Sequence, residues 1–213
     1  MLSDADRPAL ADLAPVLRRA GNLDPRALAR LRLVGRSATV LVRLPFGVLV
    51  SRTIVAADRP TSLDLAVRAA EALDWLDGTS PEPPTGRDAE WRSGLPPIAG
   101  WRRVESVPDD VIRGLVRKGA LALKDAAARE GVPGAQPRAE VADTLLDSIV
   151  LTVDDDAGTR AEVSLRALSA LTRMAFLPRG GHAYVDVAGR WIRVVAEYGS
   201  VHQEHPGQTL GIL

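Results

Sequence analysis

The sequence predicts an α+β protein with mostly antiparallel sheet, built from two related αββαβ halves packed as one pseudo-two-fold unit. Stretches with helical spacing of apolar residues alternate with stretches of strict apolar-polar alternation. The predicted strands come in pairs joined by short turns, which is typical of antiparallel hairpins. Two short pieces recur in the same element order, a Ser-Leu helix opening at 62–63 and 164–165 and an Ala-Gly…Trp/Arg piece at 99–104 and 188–194.

The repeat also sets the predicted domain organisation. We expect residues 1–213 to form a single globular unit, with a first half at 1–106 and a second half at 107–213. The first half includes a Pro/Gly-rich loop at 78–100, which contains five prolines and predicts a long irregular, partly polyproline-like connection. Loops of this length inside a domain are often functional or disordered.

The chain is expected to open with a helix. Ser3 and Asp6 form a capping pair, Pro15 divides or kinks the helix and Gly21 ends it. Its apolar stripe consists of Leu10, Leu13 and Leu17.

A second helix, a hairpin and a third helix follow in the first half. Asp24-Pro25 has the pattern of an N-cap followed by proline and predicts the second helix, with three arginines mainly on one side. Alternation over 38–44 and 48–55 predicts a hairpin, and the Thr61/Asp64 capping pair predicts a helix that ends near Asp77.

The second half follows the same scheme after a short strand at 101–105. Its long helix begins at the cap Ser106 and ends at Gly131. The remaining predicted elements are a short helix at 138–146, strands at 148–153 and 161–163, a helix at 164–176 and a hairpin at 183–187 and 191–198.

Charge and cysteine content exclude several classes of protein. Lys+Arg and Asp+Glu both count 27 and the isoelectric point is about 6.9, which argues against a polyanion binder that relies on bulk charge. With no cysteine, disulfides and thiolate sites are excluded, so we expect a cytoplasmic protein. The longest uncharged runs, 93–101 and 205–213, are nine residues each, too short to span a membrane.

The sequence predicts no catalytic residue, metal or cofactor. It contains no glycine-rich nucleotide loop, no nucleophile elbow and no HExxH motif. The group His202-Gln203-Glu204-His205 lacks the spacing of a zinc motif and is interpreted as an exposed polar tail, and Asp154-Asp155-Asp156 as a solvated turn.

Nucleic-acid binding is the alternative function, because residues 1–60 carry ten arginines and five acids, whereas 61–157 carry eleven bases and eighteen acids. Guanidinium groups bind phosphate bidentately. The candidate nucleic-acid-binding residues are Arg26, Arg30, Arg32, Arg36 and Arg43.

Protein binding is the leading prediction. Trp91 in the Pro-rich loop offers an anchor for a partner, and the apolar end of the chain offers a segment that adds to a sheet edge or groove. The candidate residues are Trp91, Leu210, Ile212 and Leu213. We therefore predict a non-catalytic adaptor, chaperone-like or regulatory module whose partner is another protein or a second copy of itself.

Overall fold

Two units make up the chain, Met1–Leu95 and Pro96–Leu213. The computed structural model describes residues 2–56, 62–129 and 135–204. The division falls inside the predicted 78–100 loop, which is irregular apart from a short 3₁₀ turn at Asp88–Glu90. That both halves form one globular unit stays a prediction.

The first unit is a four-stranded antiparallel sheet with its helices on one face. The strands lie in the order β4-β1-β2-β3, and α2 packs against α3. In chain order the elements are α1 (Arg7–Leu10), α2 (Ala14–Leu23), β1 (Leu28–Val34), β2 (Ser37–Arg43), β3 (Leu49–Val55), β4 (Leu63–Arg68) and α3 (Ala69–Leu76).

Strand alternation divides the two faces of this sheet. On β1 the residues Ala29, Leu31 and Leu33 are buried, while the intervening positions are half-buried. Because side chains two apart share a face, Arg30 and Arg32 lie together on the face opposite this apolar row. The apolar face belongs to the core, together with the buried helix residues Leu13, Val16, Leu17, Ala20, Ala72 and Trp75.

The second unit contains another four-stranded antiparallel sheet and a separate hairpin. The sheet order is β10-β9-β8-β5, and β6 pairs with β7. In chain order the elements are β5 (Arg102–Pro108), α4 (Asp109–Arg129), α5 (Ala135–Asp147), β6 (Ile149–Asp154), β7 (Arg160–Ser164), α6 (Leu165–Arg173), β8 (His182–Ala188), β9 (Trp191–Ala196) and β10 (Gly199–Glu204).

The two units share one arrangement of elements. Each has a helix followed by a three-stranded antiparallel meander, α2 with β1–β3 and α6 with β8–β10. Each also has a strand that pairs with the first meander strand and leads into a second helix, β4 with α3 and β5 with α4. The strand-helix pair follows the meander in the first unit and precedes it in the second. The predicted α+β class, antiparallel sheet and related halves are confirmed, with a third strand in each meander.

The helix predicted at Asp24-Pro25 is wrong. Asp24 instead opens a turn: its carbonyl accepts from Ala27 N at 2.9 Å and its Oδ1 accepts from Arg26 N at 2.8 Å. An Asp followed by Pro suits this turn as well as it suits a helix start. The period-two pattern of residues 28–34 then continues as β1, which places Arg30 and Arg32 on a strand.

Two further predictions need correction. Residues 63–68 were expected in a helix but form β4, and only Ala69–Leu76 is helical. The apolar pattern of 63–68 fits the helical and the strand period, and pairing with β1 makes it a strand. Thr61 lies outside the described residues. Residues 202–205 were expected to be an exposed polar tail, and His205 lies outside the described residues. His202 is instead 5% exposed on β10, which follows a two-residue turn after β9.

Candidate functional site

A short segment inside the predicted 78–100 loop, residues 86–93, is attached to the edge strand β4. Arg87 N donates to Ala66 O at 2.7 Å, and Ala66 N donates to Asp88 Oδ1 at 2.9 Å. These bonds satisfy polar groups that an edge strand otherwise leaves open. The segment therefore has a defined position beside the sheet although its sequence has no regular periodicity.

Arg87 joins this segment to α3 and β4 through ion pairs. Its Nη2 lies 2.9 Å from Glu71 Oε1 and its Nη1 lies 3.0 Å from Glu90 Oε1. Glu90 Oε2 also accepts from Arg68 Nη2 at 2.7 Å. The hydrogen bond to Glu71, followed by that to Glu90, raises the pKa of Arg87 above its ordinary value, so the guanidinium stays charged.

Trp91 follows this network directly and is half-buried. Its indole Nε1 donates to Ser93 O at 2.8 Å, and Arg43 Nη1 donates to Ser93 Oγ at 3.2 Å. The guanidinium carbon of Arg30 lies 5.8 Å from the Trp91 ring centroid, while Arg30 Nε donates to Asp64 at 2.6 Å. The ring is thus held from two sides, and its N–H is already bonded.

These contacts border a cleft of about 310 Å³ within the first unit. It lies at the end of the sheet where β1 begins and β2 and β4 end. Its lining residues are Asp24, Arg26, Ala27, Leu28, Arg43, Leu44, Pro45, Arg68, Glu90, Trp91, Arg92 and Ser93. We call this the Arg–Trp cleft. Four arginines and two carboxylates line it, so its charge is positive.

Most of the charged groups in the Arg–Trp cleft already have partners. Arg68 binds Glu90 and also donates to Arg26 O at 2.7 Å. Asp24 accepts from the Arg26 backbone N. The guanidinium groups of Arg26 and Arg92 are exposed, and within residues 2–56, 62–129 and 135–204 neither has an ion-pair partner.

The structure brings together residues that the sequence assigned to different functions. The cleft is lined by Trp91, which was predicted to bind protein, and by Arg26 and Arg43, which were predicted to bind nucleic acid. Arg30 lies under the indole of Trp91. Arg32, also on β1, forms an ion pair with Asp64, with its Nε 3.4 Å from Asp64 Oδ2. Arg36 lies in the turn at the far end of β1. The predicted residues Leu210, Ile212 and Leu213 lie outside the described residues.

Sequence reasoning missed two of the cleft arginines. Arg68 was placed on a helix and so was not connected with the strand arginines. Arg92 adjoins Trp91 in the sequence, and this neighbour relation was the available signal for it.

One face of the sheet in the second unit carries a different charged cluster. Directly opposed residues on β5, β8, β9 and β10 form a row: Arg103, Asp186, Arg193 and His202. Asp186 accepts from Arg193 at 2.7 Å and from Arg103 at 3.3 Å, and the Arg193 guanidinium lies 4.2 Å from the Trp101 ring centroid. Burial, and then the charge of Arg193, lower the pKa of His202 to about 3. Within this row the buried carboxylate of Asp186 is paired with both arginines.

Across the described ranges, no group of three or more His, Asp or Glu side chains is placed to hold a metal ion. In the same ranges no helix has the length and hydropathy needed to cross a bilayer.

Two family models match the chain. The one described as "Domain of unknown function (DUF8185)" matches residues 96–208, and the one described as "Domain of unknown function (DUF8010)" matches residues 1–93. The boundary between the matches coincides with the boundary between the two units. No curated protein matches the sequence.

Solved structures of DNA polymerase sliding clamps have a similar fold. The clamp of Bacillus subtilis aligns over 93% of this chain and 63% of its own, with TM-score 0.57 and 10% identity. That of Caulobacter crescentus aligns over 93% and 63%, with TM-score 0.55 and 11% identity. The Helicobacter pylori beta clamp bound to DNA ligase peptide aligns over 92% and 64%, with TM-score 0.51 and 9% identity. The chain thus spans less than two thirds of these clamps, and the likeness establishes the fold alone.

Proposed function

The chain belongs to the family described as Domain of unknown function (DUF8185), and from its clamp-like fold and the cleft in its first unit we propose that it is a non-catalytic protein-binding module. It holds a segment of a partner protein in the Arg–Trp cleft and acts as an adaptor or regulator. The absence of cysteine suits a cytoplasmic location.

The observation that carries this proposal is the position of Trp91. Its ring is half-buried in the cleft wall, its N–H is bonded to Ser93 O and it lies beside exposed arginines. Trp and Arg are enriched among the residues that dominate protein interfaces, and a pre-positioned ring loses little conformational entropy on binding. A clamp of this fold has been solved with a DNA ligase peptide, which supports the same kind of ligand here.

The test is a pull-down from lysate of the native host, with and without nuclease. Wild-type protein is compared with Trp91→Ala and with Val55→Ala, which removes an apolar side chain that is 77% exposed on β3. We expect one protein, retained in near-stoichiometric amount after nuclease treatment by the wild type and Val55→Ala, to be lost with Trp91→Ala.

Two results would contradict the proposal. The first is equal retention by Trp91→Ala, and the second is recovery only of nucleic acid with nuclease-sensitive proteins. The second result would favour the alternative, nucleic-acid binding. Size-exclusion chromatography with light scattering, on wild type and Trp91→Ala, distinguishes a second copy from a different partner.

A further inference from the structure

The Arg–Trp cleft contains more positive than negative charge even after the ion pairs within it are taken into account. Glu90 is shared by Arg68 and Arg87, and the Asp24 carboxylate accepts from a backbone N–H. Three cleft arginines are left without a carboxylate partner among the described residues. They are Arg26, Arg43 and Arg92, and Arg43 donates to the neutral Ser93 hydroxyl. A ligand that brings carboxylates would complete these pairs.

Part of the cleft lining is apolar. Leu28, Leu44 and Pro45 line it together with the Trp91 ring. Because the indole N–H is bonded to Ser93 O, the ring presents hydrocarbon surface to the cleft and no free donor. The site therefore suits an apolar side chain next to acidic ones.

Size and charge distribution distinguish a peptide from a nucleic acid. A volume of about 310 Å³ accommodates a few side chains. A phosphate backbone needs a stripe of unpaired cations, whereas Arg30 and Arg32 share Asp64 and Glu90 borders the cleft. Arg36 is separated from the cleft by the length of β1, roughly 20 Å.

We infer that the segment bound in the Arg–Trp cleft is an acidic stretch of a partner protein with an apolar side chain among its carboxylates. This inference rests on the proposed function. The carboxylates bind the forks of Arg26, Arg43 and Arg92, and the apolar side chain packs on Trp91.

The experiment measures binding of labelled probes to the full chain by fluorescence anisotropy. The acidic probe is a peptide of about ten Asp and Glu residues around a central Leu, a length typical of linear recognition segments. Its neutral counterpart carries Asn and Gln at the same positions, and a single-stranded oligothymidylate of equal net charge serves as the nucleic-acid probe. The variants are Arg26→Gln/Arg92→Gln and the matched control Arg36→Gln, an exposed arginine outside the cleft.

We expect the acidic probe to bind the wild type and Arg36→Gln equally and to bind the double variant about tenfold more weakly or worse, since bonds to charged groups are lost. Binding should weaken with added salt, and the neutral probe should bind at least about tenfold more weakly than the acidic one.

Three outcomes would overturn the inference. Equal binding of the neutral probe shows that charge does not select the segment. Tighter binding of the oligothymidylate, weakened by the double variant, assigns the cleft to nucleic acid. Failure of the acidic probe to bind, while Trp91→Ala still abolishes capture of the partner, refutes the acidic chemistry and leaves the proposed function intact. The proposed function fails separately, when Trp91→Ala retains the partner.

Discussion

Replacing Gly119 by alanine should destabilise the second unit although alanine favours helices. Gly119 lies inside α4 where the helix meets α6. A Cβ at this position would lie 2.4 and 2.5 Å from the two Cδ atoms of Leu165 and 3.0 Å from its Cγ. Leu165 is itself only 2% exposed, so it has little space to move away.

The same helix contains a matched control. A Cβ on Gly114 would have no neighbour within 4 Å. Gly114→Ala therefore reports helix propensity alone and should stabilise by up to about 1 kcal/mol. Gly119→Ala has the same gain but adds overpacking of about 1–3 kcal/mol, so its free energy of unfolding should lie below that of Gly114→Ala by that amount.

Urea unfolding followed by circular dichroism measures the free energy of unfolding of both variants. Hydrogen exchange of the α4 and α6 amides tests whether the change in stability lies in the second unit. Combining Gly119→Ala with Leu165→Ala should remove the penalty, since the added methyl group then meets empty space. Equal shifts for the two glycine variants, or no coupling with Leu165, would refute the close contact as the cause.

The remaining predictions concern the two charged clusters. His202 is neutral in the folded state, with a pKa near 3 against about 6.5 unfolded, so stability should fall below pH 6.5 by up to about 1.4 kcal/mol per pH unit, and His202→Gln should flatten this slope in urea titrations. Arg193→Gln leaves Asp186, whose side chain is 4% exposed, with a weaker partner and should cost about 1–3 kcal/mol in unfolding free energy. Arg87→Gln should speed amide exchange in residues 86–93 and weaken binding in the Arg–Trp cleft.

Each of these predictions has a result that would contradict it. Parallel pH slopes for wild type and His202→Gln would show that this histidine is not kept neutral by burial. A loss with Arg193→Gln no larger than that with Arg190→Gln, an exposed arginine 3.5 Å from Glu204, would show that the row contributes little. Unchanged exchange in Arg87→Gln would show that backbone bonds alone position the segment.

The elements that the sequence predicted well are those whose signals are local. The β2–β3 hairpin and the β6–β7 hairpin each combine alternation with a turn sequence. α4 combines acidic residues in its first turn with helical spacing, although it begins at Asp109 and the predicted cap Ser106 lies on β5. The errors at β1 and β4 arose because the local sequence patterns fit two different kinds of local structure equally well. Asp24-Pro25 suits a turn or a helix start, and residues 63–68 fit both periods until β1 pairs with them.

The candidate site was predicted as separate residues and not as a site. Trp91 and the N-terminal arginines were each identified as candidates because of their chemistry. Their convergence depends on the pairing of Leu28 with Arg68 and on the attachment of residues 86–93 to Ala66. Both are contacts between residues far apart in the chain, which no local pattern encodes.

Composition and local periodicity by themselves determined the α+β class and the absence of thiol chemistry, because these follow from residue types and from spacing within a few residues. The related halves were predicted from two short pieces that recur in the same element order. Tertiary structure alone decided which arginines are neutralised, where Trp91 lies and that His202 is buried. Pairing and burial depend on which distant strand supplies the partner, and that choice is made by packing of the whole sheet against its helices.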